Sequence, residues 1–178
     1  GVRRCGKTTL CHQALRSGGV KYAYVNFDDE VLGRIKPDEL NDVLQAAYVV
    51  YGEFTHIFLD ELQNVEGWEL FVNRLLRKGL RVLVTGSNAN LLSREFGTHL
   101  TGRYAEIELH PFTFTEFLDF KKHLDDALTT KSRALREADY GEFSREGGLP
   151  EVYRLSDPVG YLKTLYNAIL FKDVVKRW

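Results

Sequence analysis

Gly1 to Thr8 match the pattern G-x-x-x-x-G-K-[ST], with Gly1 and Gly6 as its glycines and Lys7 and Thr8 as its functional pair. A loop of this form turns its backbone N–H groups inward around phosphate oxygens, and glycine removes the side chains that would block the approach. Such a loop normally leaves the end of a buried strand and opens a helix. The helix beginning at Lys7 aims its positive end at the same anion. Lys7 then supplies a point charge to the β- and γ-phosphates of a nucleotide, and Thr8 offers a hydroxyl to Mg²⁺. The nucleotide-contacting set is therefore Gly1, Val2, Arg3, Arg4, Cys5, Gly6, Lys7, Thr8 and Thr9.

A second motif supplies the matching carboxylates. His56-Ile57-Phe58-Leu59-Asp60-Glu61 is a mostly apolar run that delivers two adjacent acids, the form of a Walker B strand. Successive side chains near a strand end point in different directions, so the two acids can take different tasks. Asp60 is expected to hold Mg²⁺ with Thr8, directly or through water, and Glu61 to act as general base on the attacking water. The bland alternative is a strand ending in a charged turn. Guanine-reading [NT]-K-x-D and D-x-x-G motifs are missing, as is L-S-G-G-Q, which disfavours a small GTPase and an ABC-type ATPase. Adjacent Asp and Glu favour hydrolysis over phosphoryl transfer to a second substrate.

Composition narrows the classes further. With 178 residues, 44% of them hydrophobic, the chain can bury one sizeable core with a small appended lobe. No stretch approaches the roughly 20 apolar residues of a membrane span, and no signal-peptide pattern precedes the loop, so a cytoplasmic protein is the expectation. Lys and Arg total 24 against 25 acids, and the net charge of -1 gives no electrostatic support for a nucleic-acid or membrane partner. Cys5 and Cys11 have neither zinc nor disulfide-framework spacing. Cys5 has basic neighbours at a helix N-terminus, surroundings that favour a thiolate, although a tolerated small loop residue is the simpler reading. His12, His56, His99, His110 and His123 show no ligand spacing. The sequence starts at the first loop glycine with no strand ahead of it and contains no Met, so a longer protein is expected.

Along the chain, the spacing predicts a helix over 7–16, a strand over 20–27, a helix from Pro37 to Gly52 with Pro in its first turn, and a strand over 55–59. A helix over 67–78, a strand over 80–85, a helix over 90–100 and a last strand over 104–109 follow. Alternation with short connections argues for βαβ units and a parallel sheet. Beyond Pro111 the pattern is helical: 113–123, 131–145 and 158–178. Asp157-Pro158 forms an N-cap and first-turn pair, with Leu162, Tyr166 and Ile169 on one face.

The order of these features resembles AAA+ ATPases. More closely, Gly1 to Leu10, Leu59-Asp60-Glu61-Leu62-Gln63-Asn64, Thr85-Gly86-Ser87-Asn88, Gly102-Arg103-Tyr104, Pro111-Phe112-Thr113-Phe114-Thr115-Glu116-Phe117 and Gly147-Gly148-Leu149-Pro150-Glu151-Val152 resemble a prokaryotic family of AAA-type ATPases often joined to a C-terminal domain of unknown function. The resemblance implies an α/β P-loop NTPase sandwich with a parallel sheet of order 5-1-4-3-2, its first strand absent from this chain, plus a small helical lid. It implies a core over 1–118 and a lid and start of a C-terminal region over 119–178. It also maps a γ-phosphate sensor to Ser87, with Asn88 second, and an arginine finger toward a neighbouring subunit to Arg103; a surface arginine paired with Glu106 or Glu108 is the alternative there. Arg154, after a lid helix starting at 148–150, is the nearest lid arginine.

The function expected is a slow, Mg²⁺-dependent ATPase that binds ATP and drives a conformational change, with a homo-oligomer as the implied assembly. Two alternatives stand beside it: a nucleotide-dependent switch or scaffold, and a DNA-handling ATPase working through a flanking domain.

Overall fold

The computed structural model describes residues 4–86, 104–124 and 129–171. They fall into two compact units, one of the described residues between 6 and 108 and one of residues 4–5 with those between 109 and 171.

In the first unit, α1 (Lys7–Ser17) follows Gly6, whose φ of 93° is the left-handed conformation that glycine adopts at little cost. Strands β1 (Tyr22–Asn26), β2 (His56–Asp60) and β3 (Arg81–Val84) form a parallel sheet in the order β1-β2-β3. Asn26 lies opposite Asp60, and Leu59 opposite Val84. Helices α2 (Leu40–Tyr51) and α3 (Trp68–Arg77) supply the crossovers. This is the parallel α/β arrangement of a P-loop NTPase-like fold, and its strand sequence corresponds to the 4-3-2 portion of the expected order.

Alternation along the strands sorts the two sheet faces. Ala23, Val25, Ile57 and Leu59 join Leu40, Leu44 and Ala47 of α2 and Trp68, Phe71, Val72 and Leu75 of α3 in one buried cluster. Each fully buried Leu, Ile or Phe side chain among them contributes about 1.5–3 kcal/mol. On the opposite face, Tyr22, Tyr24 and Phe58 meet His12 of α1, which stands edge-on to Tyr24 at 4.6 Å and to Phe58 at 5.2 Å. The sheet is thus covered on both sides, and the face carrying Asp60 is the one that α1 covers.

Several expectations change. Residues 104–110 form no strand despite their alternation. In the expected order that strand pairs with the one ahead of the loop, so its pairing depends on a long-range neighbour that alternation alone does not supply. Pro37 precedes α2 instead of opening it: Glu39 N–H bonds the Lys36 carbonyl at 3.0 Å, and the Glu39 carboxylate takes Lys36 N–H at 2.8 Å, closing a separate turn. The helix expected over 90–100 lies outside the described residues.

The second unit is built from α4 (Phe114–Phe120), α5 (Thr130–Glu146) and α6 (Pro158–Ile169). Thr113 and Glu116 cap α4 reciprocally, a capping box. Phe117 is fully buried among Phe143 and Tyr153, with ring centroids 5.4 and 4.7 Å away. No helix starts at 148–150; a 3-10 turn (Val152–Arg154) occupies the place, and α6 begins where Asp157 accepts the Gly160 N–H at 3.0 Å. On α6, Leu165 takes the half-buried position expected of Tyr166, which is exposed. Among the described residues no helix is long and apolar enough to cross a membrane.

Two stability predictions arise here. Gly148 donates no side chain because a Cβ would run into the carbonyl oxygen of Phe112 and lie 2.9 Å from its nitrogen, while Phe112 N–H bonds the Gly148 carbonyl at 2.7 Å. Gly148→Ala is expected to destabilise the unit by about 1–3 kcal/mol, read as a lowered urea midpoint. Asp139, buried on α5, accepts from His123 at 2.9 Å and faces Lys121 at 3.2 Å, which also pairs with Glu142 at 2.6 Å. Burial alone would raise the Asp139 carboxyl, but the hydrogen bonds and charges of His123 and Lys121 outweigh it and hold it below the ordinary value. A carboxyl whose folded-state pKa is lowered contributes stability that is present above the unfolded value of about 3.9 and is lost as pH falls from there through the folded value. The melting temperature is expected to drop steeply below about pH 4, and the drop should shrink in Asp139→Asn.

Candidate functional site

The parallel register brings the sheet's polar groups to the carboxyl ends of the strands, where open α/β sheets place ligands. At the end of β2, Asp60 is 4% exposed, and a carboxylate this buried requires partners. Among the described residues it has three hydroxyl donors. Thr8, in the first turn of α1, donates to Oδ2 at 2.9 Å. Tyr24 of β1 donates to the same oxygen at 3.0 Å. Thr85, the residue after β3, donates to Oδ1.

The Thr8 contact joins the loop to the strand end, as the two motifs require of each other. The oxygen-only donor set suits a hard cation that takes few protein ligands and completes its shell with water and phosphate. Thr8 and Asp60 therefore fit Mg²⁺.

Glu61 leaves the strand in the left-handed conformation, φ 53° and ψ 37°. Gln63 Nε2 donates to Glu61 Oε2 at 2.5 Å and fixes the carboxylate's orientation. Asn64 Nδ2 ties the same turn to the Phe27 carbonyl at 3.2 Å.

Lys7 opens α1, and Leu10 N–H bonds the Gly6 carbonyl at 2.9 Å as the helix's first bond. The N–H groups of the first turn have no intrahelical acceptor, and no acid stands in that turn to take the place of an anion. Thr9 is exposed beside Thr8. Arg4 and Cys5 belong to the second unit. There Arg4, with φ 64°, pairs with both oxygens of Glu151 at 3.3 Å, and Cys5 is buried with its thiol donating to the Leu109 carbonyl at 3.4 Å. A buried thiol that donates to a carbonyl is the geometry of a packing group, in line with the simpler of the two readings for Cys5. Arg154 is exposed on the 3-10 turn of the same unit. Gly1, Val2, Arg3, Ser87, Asn88 and Arg103 lie outside the described residues.

Sequence reasoning passed over Tyr24 and Thr85. The burial of Tyr24, followed by the charge and hydrogen bond of Asp60, pushes its phenol well above the ordinary value, so it stays a neutral donor. Burial and Asp60 likewise raise Cys11.

A protein-family model described as an AAA domain matches residues 1–118, well over half of the chain. The chain belongs to the AAA domain family. Its membership makes it a nucleotide-binding module of the ATPase type, and the P-loop and acidic strand end of this AAA domain are the parts just described. It is 37% identical over 182 residues to an uncharacterized protein of Methanocaldococcus jannaschii, covering 99% of this chain and 41% of that protein. It is 33% identical over 187 residues to an uncharacterized protein of Haemophilus influenzae, covering 99% and 45%. The AAA chain thus spans less than half the length of the curated relatives it matches. No solved structure matches it.

Proposed function

We propose that this AAA domain is a cytoplasmic ATPase that binds ATP with Mg²⁺ and couples slow hydrolysis to a conformational change of its helical unit. The observation that carries the reading is the Thr8–Asp60 hydrogen bond, which unites a phosphate-binding loop with a buried strand-end carboxylate. In this reading Lys7 and the first-turn N–H groups bind the β- and γ-phosphates, while Thr8 and Asp60 hold the cation. When bound, Mg²⁺ offsets the charge of the β- and γ-phosphate oxygens.

Glu61 accepts a proton from water as that water's oxygen bonds the γ-phosphorus; the bond to the β,γ-bridging oxygen breaks, and ADP leaves with the electron pair. Ser87 in this reading senses the γ-phosphate, and Arg103 reaches a neighbouring subunit's nucleotide in a homo-oligomer. Residues 119–178 act as the lid and the start of a C-terminal region. Steady-state ATPase assay of the full-length protein across a range of protein concentrations tests this. Mg²⁺-dependent turnover is expected, rising per subunit with concentration if Arg103 acts in trans. ATP binding without measurable turnover would instead favour a nucleotide-dependent switch.

A further inference from the structure

We propose that Tyr24 and Thr85 form a clamp that fixes the orientation of the Asp60 carboxylate and leaves Thr8 as its exchangeable partner toward the cation. The proposal rests on the reading of this site as an ATP·Mg²⁺ site.

The three hydroxyls differ in origin. Tyr24 comes from β1 and Thr85 from the residue after β3, and these are the two strands that flank β2 in the sheet. They grip opposite oxygens, Oδ2 and Oδ1, so rotating the carboxylate about its Cβ–Cγ bond breaks a bond on one side or the other. A carboxylate offers about four lone-pair sites, so two clamp bonds leave sites for a cation or for Thr8. Thr8 alone stands on the element that carries the phosphate loop.

Burial makes the clamp effective. With Asp60 4% exposed, water is a poor substitute for a lost hydroxyl. The Tyr24 ring is held independently of its hydroxyl, by His12 at 4.6 Å and Phe58 at 5.1 Å, so phenylalanine at this position preserves the packing and removes only the donor. Partners that orient a ligating carboxylate typically govern metal affinity by 10–100-fold. Tyr24 and Thr85 are therefore positioning residues, acting on the cation through Asp60.

The test uses full-length protein carrying Tyr24→Phe or Thr85→Val and a fluorescent ATP analogue, titrated first in EDTA and then with Mg²⁺ at fixed nucleotide. Affinity in EDTA is expected to stay within about twofold of the unaltered protein, while the Mg²⁺ concentration for half-maximal response rises about tenfold in each variant. An unchanged Mg²⁺ dependence in Tyr24→Phe overturns the clamp while leaving the ATP site standing. Equal loss of affinity with and without metal overturns it too, because that is the signature of a packing role. If the unaltered protein fails to bind the analogue under any condition, the reading of the site and the clamp fall together.

Discussion

Lys7→Ala is expected to abolish ATP binding. The side chain stands at the first position of α1, directly after the left-handed Gly6, and brings the point charge that the helix end and loop amides complement. Those amides remain in the variant, but they act as partial charges on the order of half an elementary charge in sum. They cannot offset a triphosphate that has lost its lysine. Isothermal titration with ATP and Mg²⁺ is the measurement, and wild-type affinity in the variant would refute the phosphate-loop assignment. A thermal melt matching the unaltered protein guards against simple unfolding, because a half-buried lysine at a helix start contributes little to the core.

Glu61→Gln should separate binding from chemistry. Glutamine keeps the shape of the side chain and can retain a contact with Gln63, but it cannot take a proton from water. Hydrolysis is expected to fall by roughly 10²-fold or more, the usual contribution of a positioned general base. ATP·Mg²⁺ affinity should hold, since Asp60 and Thr8 are untouched. Normal hydrolysis in this variant would place the base on another residue.

Much of this arrangement was legible in the residues because it depends on short-range rules. The loop pattern places Lys7 and Thr8, and the apolar run before Asp60 and Glu61 places a strand end; the Thr8–Asp60 contact then follows from their union. Tyr24 and Thr85 received no role because their partner is set by strand register, which is long-range. A usable signal existed: Tyr22, Tyr24 and Asn26 share one face by period two, and Thr85 is the first polar residue after β3. The misread strand at 104–109 has the opposite cause, since alternation states which face a residue prefers but not whether a neighbouring strand is present to pair with it. Pro37 misled for a local reason, because the Lys36–Glu39 turn satisfies the backbone groups that a helix start would otherwise have used.

The left-handed backbone at Glu61 sets two selections against each other. At φ 53° a side chain is strained, and glycine or asparagine would sit there more comfortably. A library screened for thermal stability alone should therefore drift toward small residues at position 61, while one screened for ATP turnover should return glutamate. In the proposed reading the general base stands on left-handed backbone, so a variant recovered for heat resistance with a change at this position is expected to bind ATP and hydrolyse it slowly.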